Sequence, residues 1–329
     1  MTKTNQQKVK DFLINNGVII VMFILVIYTG FTSDNFFTKN NFMNILMNMS
    51  SRLVIALGIA GCVITAGCDL SAGRMIGFGA CISGMLLQRM DYSGKFFPDM
   101  QPLNVFVVAL IAMLVCAAFG TVTGFFIAYL NVPPFIATLA MMEIVYGIGL
   151  IVTNATPLGG YVEQYTNVSN GKFLGINYLI WIAIIVAAIT WFIFNMTRHG
   201  KYMYAIGGNP QAAEVAGVPV KLTLILIYMK AAAMYGLAGF MLGAKAGGAS
   251  VQTGYGYEME AIAACTIGGV SVTGGRGKVS SAIIGVAVFE LLKVALQYLG
   301  MNANAQYIAI GVVIFIAISL DIRKYIARK

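Results

Sequence analysis

The sequence predicts an all-α integral membrane protein of about ten transmembrane helices, some of them broken or re-entrant, with both termini on the cytoplasmic side. Three observations carry that prediction. Hydrophobic residues make up 59% of the 329 and charged residues 10%, against about 45–50% and 25% in ordinary soluble domains. Several stretches without a charge are long enough to cross the hydrocarbon as helix, which takes about 17–25 residues. The Lys and Arg residues between those stretches sort unequally between the two sides of the expected bundle, which sets orientation.

The runs Phe12–Ser33, Ile144–Val162, Phe173–Thr197 and Val294–Leu320 each lack a charged residue. A longer run, Met100–Met142, is divided at Asn131-Val132-Pro133-Pro134 and reads as two helices joined by a proline turn. Helices are expected at 17–32, 42–66, 73–90, 103–130, 134–153, 178–196, 222–245, 258–272, 279–299 and 305–321. The stretch after Lys3, Lys8 and Lys10 has no small-residue cleavage site before Asp34, so it is expected to be a retained span. The third and eighth spans are short and rich in Gly, where irregular backbone inside a membrane protein is expected.

With this register the N-terminal arm, Arg74, the 198–221 segment, Arg276, Lys278 and the tail Arg323, Lys324, Arg328 and Lys329 share the cytoplasmic face. Lys39, Arg89, Lys95, Lys172 and Lys245 fall opposite, and Arg52, Lys230 and Lys293 lie within spans. The net charge of +9 therefore reflects span ends rather than a basic, aromatic-rich face for nucleic acid, and no nucleic-acid partner is expected. The five cysteines sit in apolar segments without zinc-site spacing, and His199 is the single histidine, so neither a metal site nor a catalytic residue is expected. Residues 1–329 read as a single transmembrane domain. Gly73/Gly77, Gly120/Gly124 and Gly239/Gly243/Gly247 are spaced for close helix contact within the chain.

Three groups of residues could carry function. In the 198–221 loop, Asn209 suits an N-cap, Pro210 the first helical position and Gly217 a C-terminal stop. A short helix between glycines follows from this, suited to docking on another protein or to passive connection. Asp69, with Ser71 beside it and Arg74 beyond, reads either as a hydrogen-bonded joint near a pathway or as a cap of the third helix. Glu143 and Lys230 lie at similar depth in their spans, and Glu290 and Lys293 are three apart on one helix, so both are expected as intramembrane charge pairs. Asn48, Gln297, Tyr146 and Phe135 are polar or aromatic groups able to line a path for a neutral sugar.

Four ordered stretches, Thr65–Arg74, Tyr129–Leu139, Ala205–Val220 and Tyr257–Gly277, resemble those of bacterial ABC-type sugar permeases of the ribose, arabinose and galactose group, and the likeness covers nearly the whole chain. Asp69–Arg74, Leu86-Leu87-Gln88 and Phe97-Pro98 are most similar to its galactose and methyl-galactoside members.

The resemblance implies a monosaccharide permease of the bacterial inner membrane, with Gly207, Gly208, Asn209, Pro210, Ala213, Glu214 and Gly217 in an ATPase-coupling loop. It also implies a second copy of the chain, a cytoplasmic ATPase with two nucleotide modules that holds ATP and Mg, and a periplasmic or lipid-anchored sugar-binding protein. No cofactor is expected in this chain. Its nearest approach to a phosphate loop, Gly275-Arg276-Gly277-Lys278-Val279, has Val279 where Ser or Thr should hold Mg and Val272 where the first Gly should stand. The competing reading is a secondary transporter driven by an ion gradient, with Asp69, Glu143 or the Glu290/Lys293 pair as its ion site.

Overall fold

The computed structural model describes residues 20 and 22–326. The lysines of the N-terminal arm, and Arg328 and Lys329, lie outside the described residues. In chain order the helices begin with α1 (Met22–Thr32), α2 (Lys39–Ile64), α3 (Ala72–Leu86), α4 (Val105–Tyr129), α5 (Pro134–Thr153) and the short α6 (Glu163–Asn170). After a hairpin of β1 (Lys172–Phe173) and β2 (Ile176–Asn177) come α7 (Tyr178–Met196), α8 (Arg198–Gly208), α9 (Pro210–Val215) and α10 (Val220–Ala246). The chain ends with α11 (Tyr257–Gly268), α12 (Val279–Tyr298) and α13 (Ala303–Ile326).

A helix overlaps each of the ten segments expected as spans, in α1 to α5, α7 and α10 to α13, the start of the first segment falling outside the described residues. Among the described residues, α2, α4, α5, α7, α10 and α12 are long and apolar enough to cross a membrane. The helix starts follow local chemistry. Thr38, Asn104 and Asn177 accept hydrogen bonds from the first-turn amides of α2, α4 and α7. Pro134 opens α5, where a missing N–H costs nothing. The β-hairpin turns through Leu174 and Gly175, both with positive φ, as a two-residue hairpin loop requires.

The core forms around α10, which packs against α4, α3 and α2. Glycines bring these backbones together. A Cβ on Gly120 would stand 2.4 Å from the Tyr228 carbonyl, and one on Gly236 would stand 2.4 Å from the Ala112 carbonyl. Gly239 meets Ile76 and Ala80 of α3 in the same way. The Gly120/Gly124 and Gly239 spacings thus serve packing within the chain, where van der Waals contact replaces the hydrophobic drive that lipid removes.

The α3 and α11 helices, at two of the expected spans, are too short to cross alone. At 1.5 Å per residue, α3 and α11 extend about 22 Å and 18 Å, against a hydrocarbon thickness of about 30 Å. The missing length is made up by irregular chain covered by protein. The segment after α10 pairs Ala249 with Leu158 and then runs back along α3, placing the Val251 carbonyl beside Gly77 and the Gly254 carbonyl beside Gly73. This corrects the position of Arg74. It does not share a surface with Arg276, because α3 starts inside the protein: its guanidinium reaches Gln252 and lies 3.9 Å over the Tyr146 ring, in the middle of α5.

Gly236→Val should lower the melting temperature of the detergent-purified protein, an overpacking cost of about 1–3 kcal/mol. Gly147→Ala, where a Cβ would meet nothing within 4 Å, should leave it unchanged.

Candidate functional site

The 198–221 loop folds as two helices. Asn209 ends α8 by donating its backbone N–H to the Ala205 carbonyl, and its side chain accepts from Ala212 N at 2.9 Å to start α9. Pro210 takes the first position of α9. Gly217, at φ +81°, reverses the chain toward α10, and Val218 N donates to the Ala213 carbonyl. The expected two-turn helix is therefore present as α9, with Ala213 buried beneath it while Glu214 and Val215 stand in the open. Val215 is 91% exposed, a large apolar side chain held out on a rigid element.

The helix that precedes it, α8, was not expected, since Gly200, Gly207 and Gly208 argue against helix. It forms because Thr197 caps it and Gly200 fits against the Phe194 and Ile193 carbonyls. Its far end is wedged into the protein. A Cβ on Gly207 would lie 1.8 Å from the Ile64 carbonyl and 2.5 Å from Gly275 N. Gly275 N donates to that same Ile64 carbonyl at 2.8 Å, and the Tyr204 hydroxyl donates to the Gly277 carbonyl. The loop thus touches the end of α2 and the turn that enters α12 at one point. The Gly274-Gly275-Arg276-Gly277 turn makes this contact, with Gly274 against the Gly207 carbonyl and Gly275 against Gly208. His199, half-buried near Lys230, is lowered to about 4 by burial first and then by that lysine, so it stays neutral near pH 7.

Asp69 is 1% exposed in the break between α2 and α3. Oδ1 accepts from the Ser71 amide and hydroxyl at 3.1 and 2.5 Å, and Oδ2 accepts from the Tyr235 hydroxyl of α10 at 3.1 Å. Ser71 is the N-cap residue of α3 but makes no side-chain cap bond. The geometry is that of a joint fastening the break to α10, more than a cap. Arg74 lies between the rings of Tyr146 and Tyr255 and donates to Gln252 Oε1 at 2.8 Å, and Gln252 donates to the Tyr146 hydroxyl. Glu258, which the sequence reading missed, is buried in the first turn of α11, its side chain against Gly73.

The expected charge pairs are both corrected. Glu143 is exposed on α5, while Lys230 lines a small cavity with His199 between α2, α7 and α10. Equal depth fixed their height but not the direction each faces. Glu290 and Lys293 share a face of α12 yet engage other helices. Arg52 Nη1 of α2 lies 3.0 Å from Glu290 and 3.1 Å from Glu260 of α11, and Lys293 Nζ lies 2.5 Å from the other oxygen of Glu260. The Tyr257 ring sits beside both cations. Two cations and two carboxylates thus neutralise one another across three helices. Of the sugar-path candidates, Asn48 and Gln297 border one cavity, Tyr146 stacks on Arg74, and Phe135 is exposed on α5.

Removing the cation at the centre should be costly. Arg52→Met leaves the buried Glu290 and the half-buried Glu260 against one lysine, a loss of about 3–5 kcal/mol, read as failure of the protein to accumulate in membranes. Gly207→Ala should reduce accumulation too, by forcing apart α8 and α2, whereas Gly208→Ala, where a Cβ meets nothing within 4 Å, should accumulate normally. Immunoblots of membrane fractions measure both.

The permease component family of branched-chain amino acid transport systems matches residues 41–318. The galactose/methyl galactoside import permease protein MglC of Escherichia coli strain K12 is 39% identical over 336 residues, covering 100% of both chains. That of Haemophilus influenzae is 40% identical over 336 residues, again covering 100% of both. The ribose import permease protein RbsC of Escherichia coli strain K12 is 32% identical over 319 residues, 96% of each chain. No solved structure matches the chain. A helical membrane bundle with this end-to-end similarity belongs to the family of branched-chain amino acid transport system permease components and is a permease subunit rather than an enzyme.

Proposed function

We propose that this chain is the transmembrane permease of an ATP-driven importer for galactose or methyl galactoside. The observation that carries the reading is similarity over the full length, at 39–40% identity, to galactose/methyl galactoside import permeases, higher than the 32% to a ribose permease. In this reading the chain lies in the bacterial cytoplasmic membrane and crosses it about ten times with both ends inside, α1, α3, α11 and α13 adding to the six long spans. Two copies assemble with an ATPase of two nucleotide modules, which holds ATP and Mg, and receive sugar from a periplasmic or lipid-anchored binding protein.

The 198–221 loop is where the ATPase docks. Glu214 and Val215 are presented on a capped helix, and Asn209, Pro210 and Gly217 fix its ends. Because Gly207 is wedged against Ile64 and Gly275, a push on α9 reaches α2 and α12 without passing through flexible chain. Asp69, Ser71 and Arg74 then act as fixed joints about which the helices rock between outward and inward openings.

Reconstitution tests this. Proteoliposomes holding the permease, the ATPase and the binding protein should accumulate labelled galactose only with ATP inside the motor compartment. Val215→Asp should abolish that uptake and the stimulation of ATPase activity by loaded binding protein, with the permease still inserted. Uptake driven by a proton or sodium gradient without the ATPase would overturn the reading.

A further inference from the structure

The end of α2 far from the ATPase loop carries an unexplained polar stripe. Asn41, Asn44, Asn48 and Arg52 follow one another at intervals of three and four residues, which places them on one face of the helix. Amides on a membrane helix are expensive against lipid and mark protein contact or water. On α12, Glu290, Lys293 and Gln297 repeat the same spacing.

The asparagines of the first stripe and Gln297 of the second face a common space. A cavity of about 530 Å³ lies between α2, α10 and α12, bordered by the three asparagines, Gln297, Tyr298 and Lys245. Its size falls within the range of about 300–1,000 Å³ usual for small-molecule sites. Part of the polar lining is already engaged: Asn41 donates to the Phe36 carbonyl, and the Asn48 side-chain oxygen accepts from Lys245. Asn44 and Gln297 are exposed, and among the described residues neither side chain has a partner.

The chemistry of this lining favours a neutral polyhydroxylated ligand. Amides both donate and accept, matching the alternation of hydroxyls around a sugar ring. The Tyr298 ring and the flanking Ile45 and Val294 offer the apolar surface that a sugar's C–H face needs. Beyond the lining, Arg52, Glu260, Glu290 and Lys293 neutralise one another, and Lys245, the cation of the lining, is held by the Asn48 side chain as a donor. Asn44 lies about 30 Å along α2 from Ile64, where the ATPase loop makes contact. A site here would sit at the opposite mouth of the permease from the motor.

We propose that this groove is the sugar-contact site of the permease, with Asn44, Asn48, Gln297 and Lys245 hydrogen-bonding the hydroxyls of the incoming monosaccharide. The assignment rests on the galactose reading above. Asn44→Cys and Gln297→Cys permeases can be labelled with a membrane-impermeant maleimide from the extracytoplasmic side. The native cysteines give little background, four being buried and Cys68 half-buried. Galactose at about ten times its half-protecting concentration should slow labelling about tenfold, and glycine betaine at equal concentration should not.

In the full transporter, the Asn44→Ala/Gln297→Ala double variant should lower galactose moved per ATP about tenfold, the effect of one or two lost hydrogen bonds, while stimulated ATPase activity is kept. Labelling that no sugar slows, labelling that appears only when permease copies are separated, or wild-type uptake by the alanine variant would each overturn the site. Protection by ribose in place of galactose would keep the site and sink the substrate reading instead.

Discussion

Hydrocarbon supplies no hydrogen bond and no counter-charge, so each polar group on a membrane helix has to be met by another element or by water. This constraint bears most on α2. Asn41 is met by the Phe36 carbonyl, Asn48 by Lys245 of α10, Arg52 by carboxylates of α11 and α12, and the Ile64 carbonyl at its end by Gly275. Five separate parts of the chain thus fix one helix. Where α2 goes, α11 and α12 must follow, because parting them would strand charges whose desolvation is already spent.

The same constraint shapes the irregular backbone. The chain between α2 and α3 and the chain between α10 and α11 both turn back into the bundle, and each is covered by protein. Asp69 holds the first to α10 through Tyr235, and Ala249 holds the second through the Leu158 backbone. Thr138 of α5 adds a bond to the Cys68 carbonyl. Such anchored breaks give a rigid bundle a few places where the backbone can change direction, and all of them lie close to α10.

Charge-free length made the spans legible in the sequence, and local capping chemistry made α9 legible to the residue. Asn209, Pro210 and Gly217 act over a few residues and need no tertiary partner. What was hidden depends on direction and depth together. The height of Glu143 and Lys230 followed from residue number, but their facing directions are set by how α5 and α10 pack. Glu290 and Lys293 were rightly placed on one face, yet a neighbour at three residues lost to the shorter reach across to Arg52 and Glu260. Arg74 misled because a basic residue after an apolar run normally marks a surface. Here the run is followed by a re-entrant break, and two tyrosine rings and Gln252 replace the water that the guanidinium would otherwise need.

The disposition of the carboxylates bears on how transport is driven. A carrier powered by an ion gradient needs a carboxylate that takes up and releases a proton or cation in each cycle, which calls for a group without a permanent partner. Glu260 and Glu290 are committed to Arg52 and Lys293, and Asp69 is committed to Ser71 and Tyr235. Glu258, in the first turn of α11, is the exception, since its Oε2 is buried without a hydrogen-bond partner. Glu143 stands exposed on α5 outside any cavity with Lys230. Asp69, Glu260 and Glu290 therefore read as fastenings. On the proposed reading, energy for rocking the helices enters where the structure is both exposed and mechanically connected, and α9, next to the Gly207 contact with α2 and the turn before α12, meets both conditions.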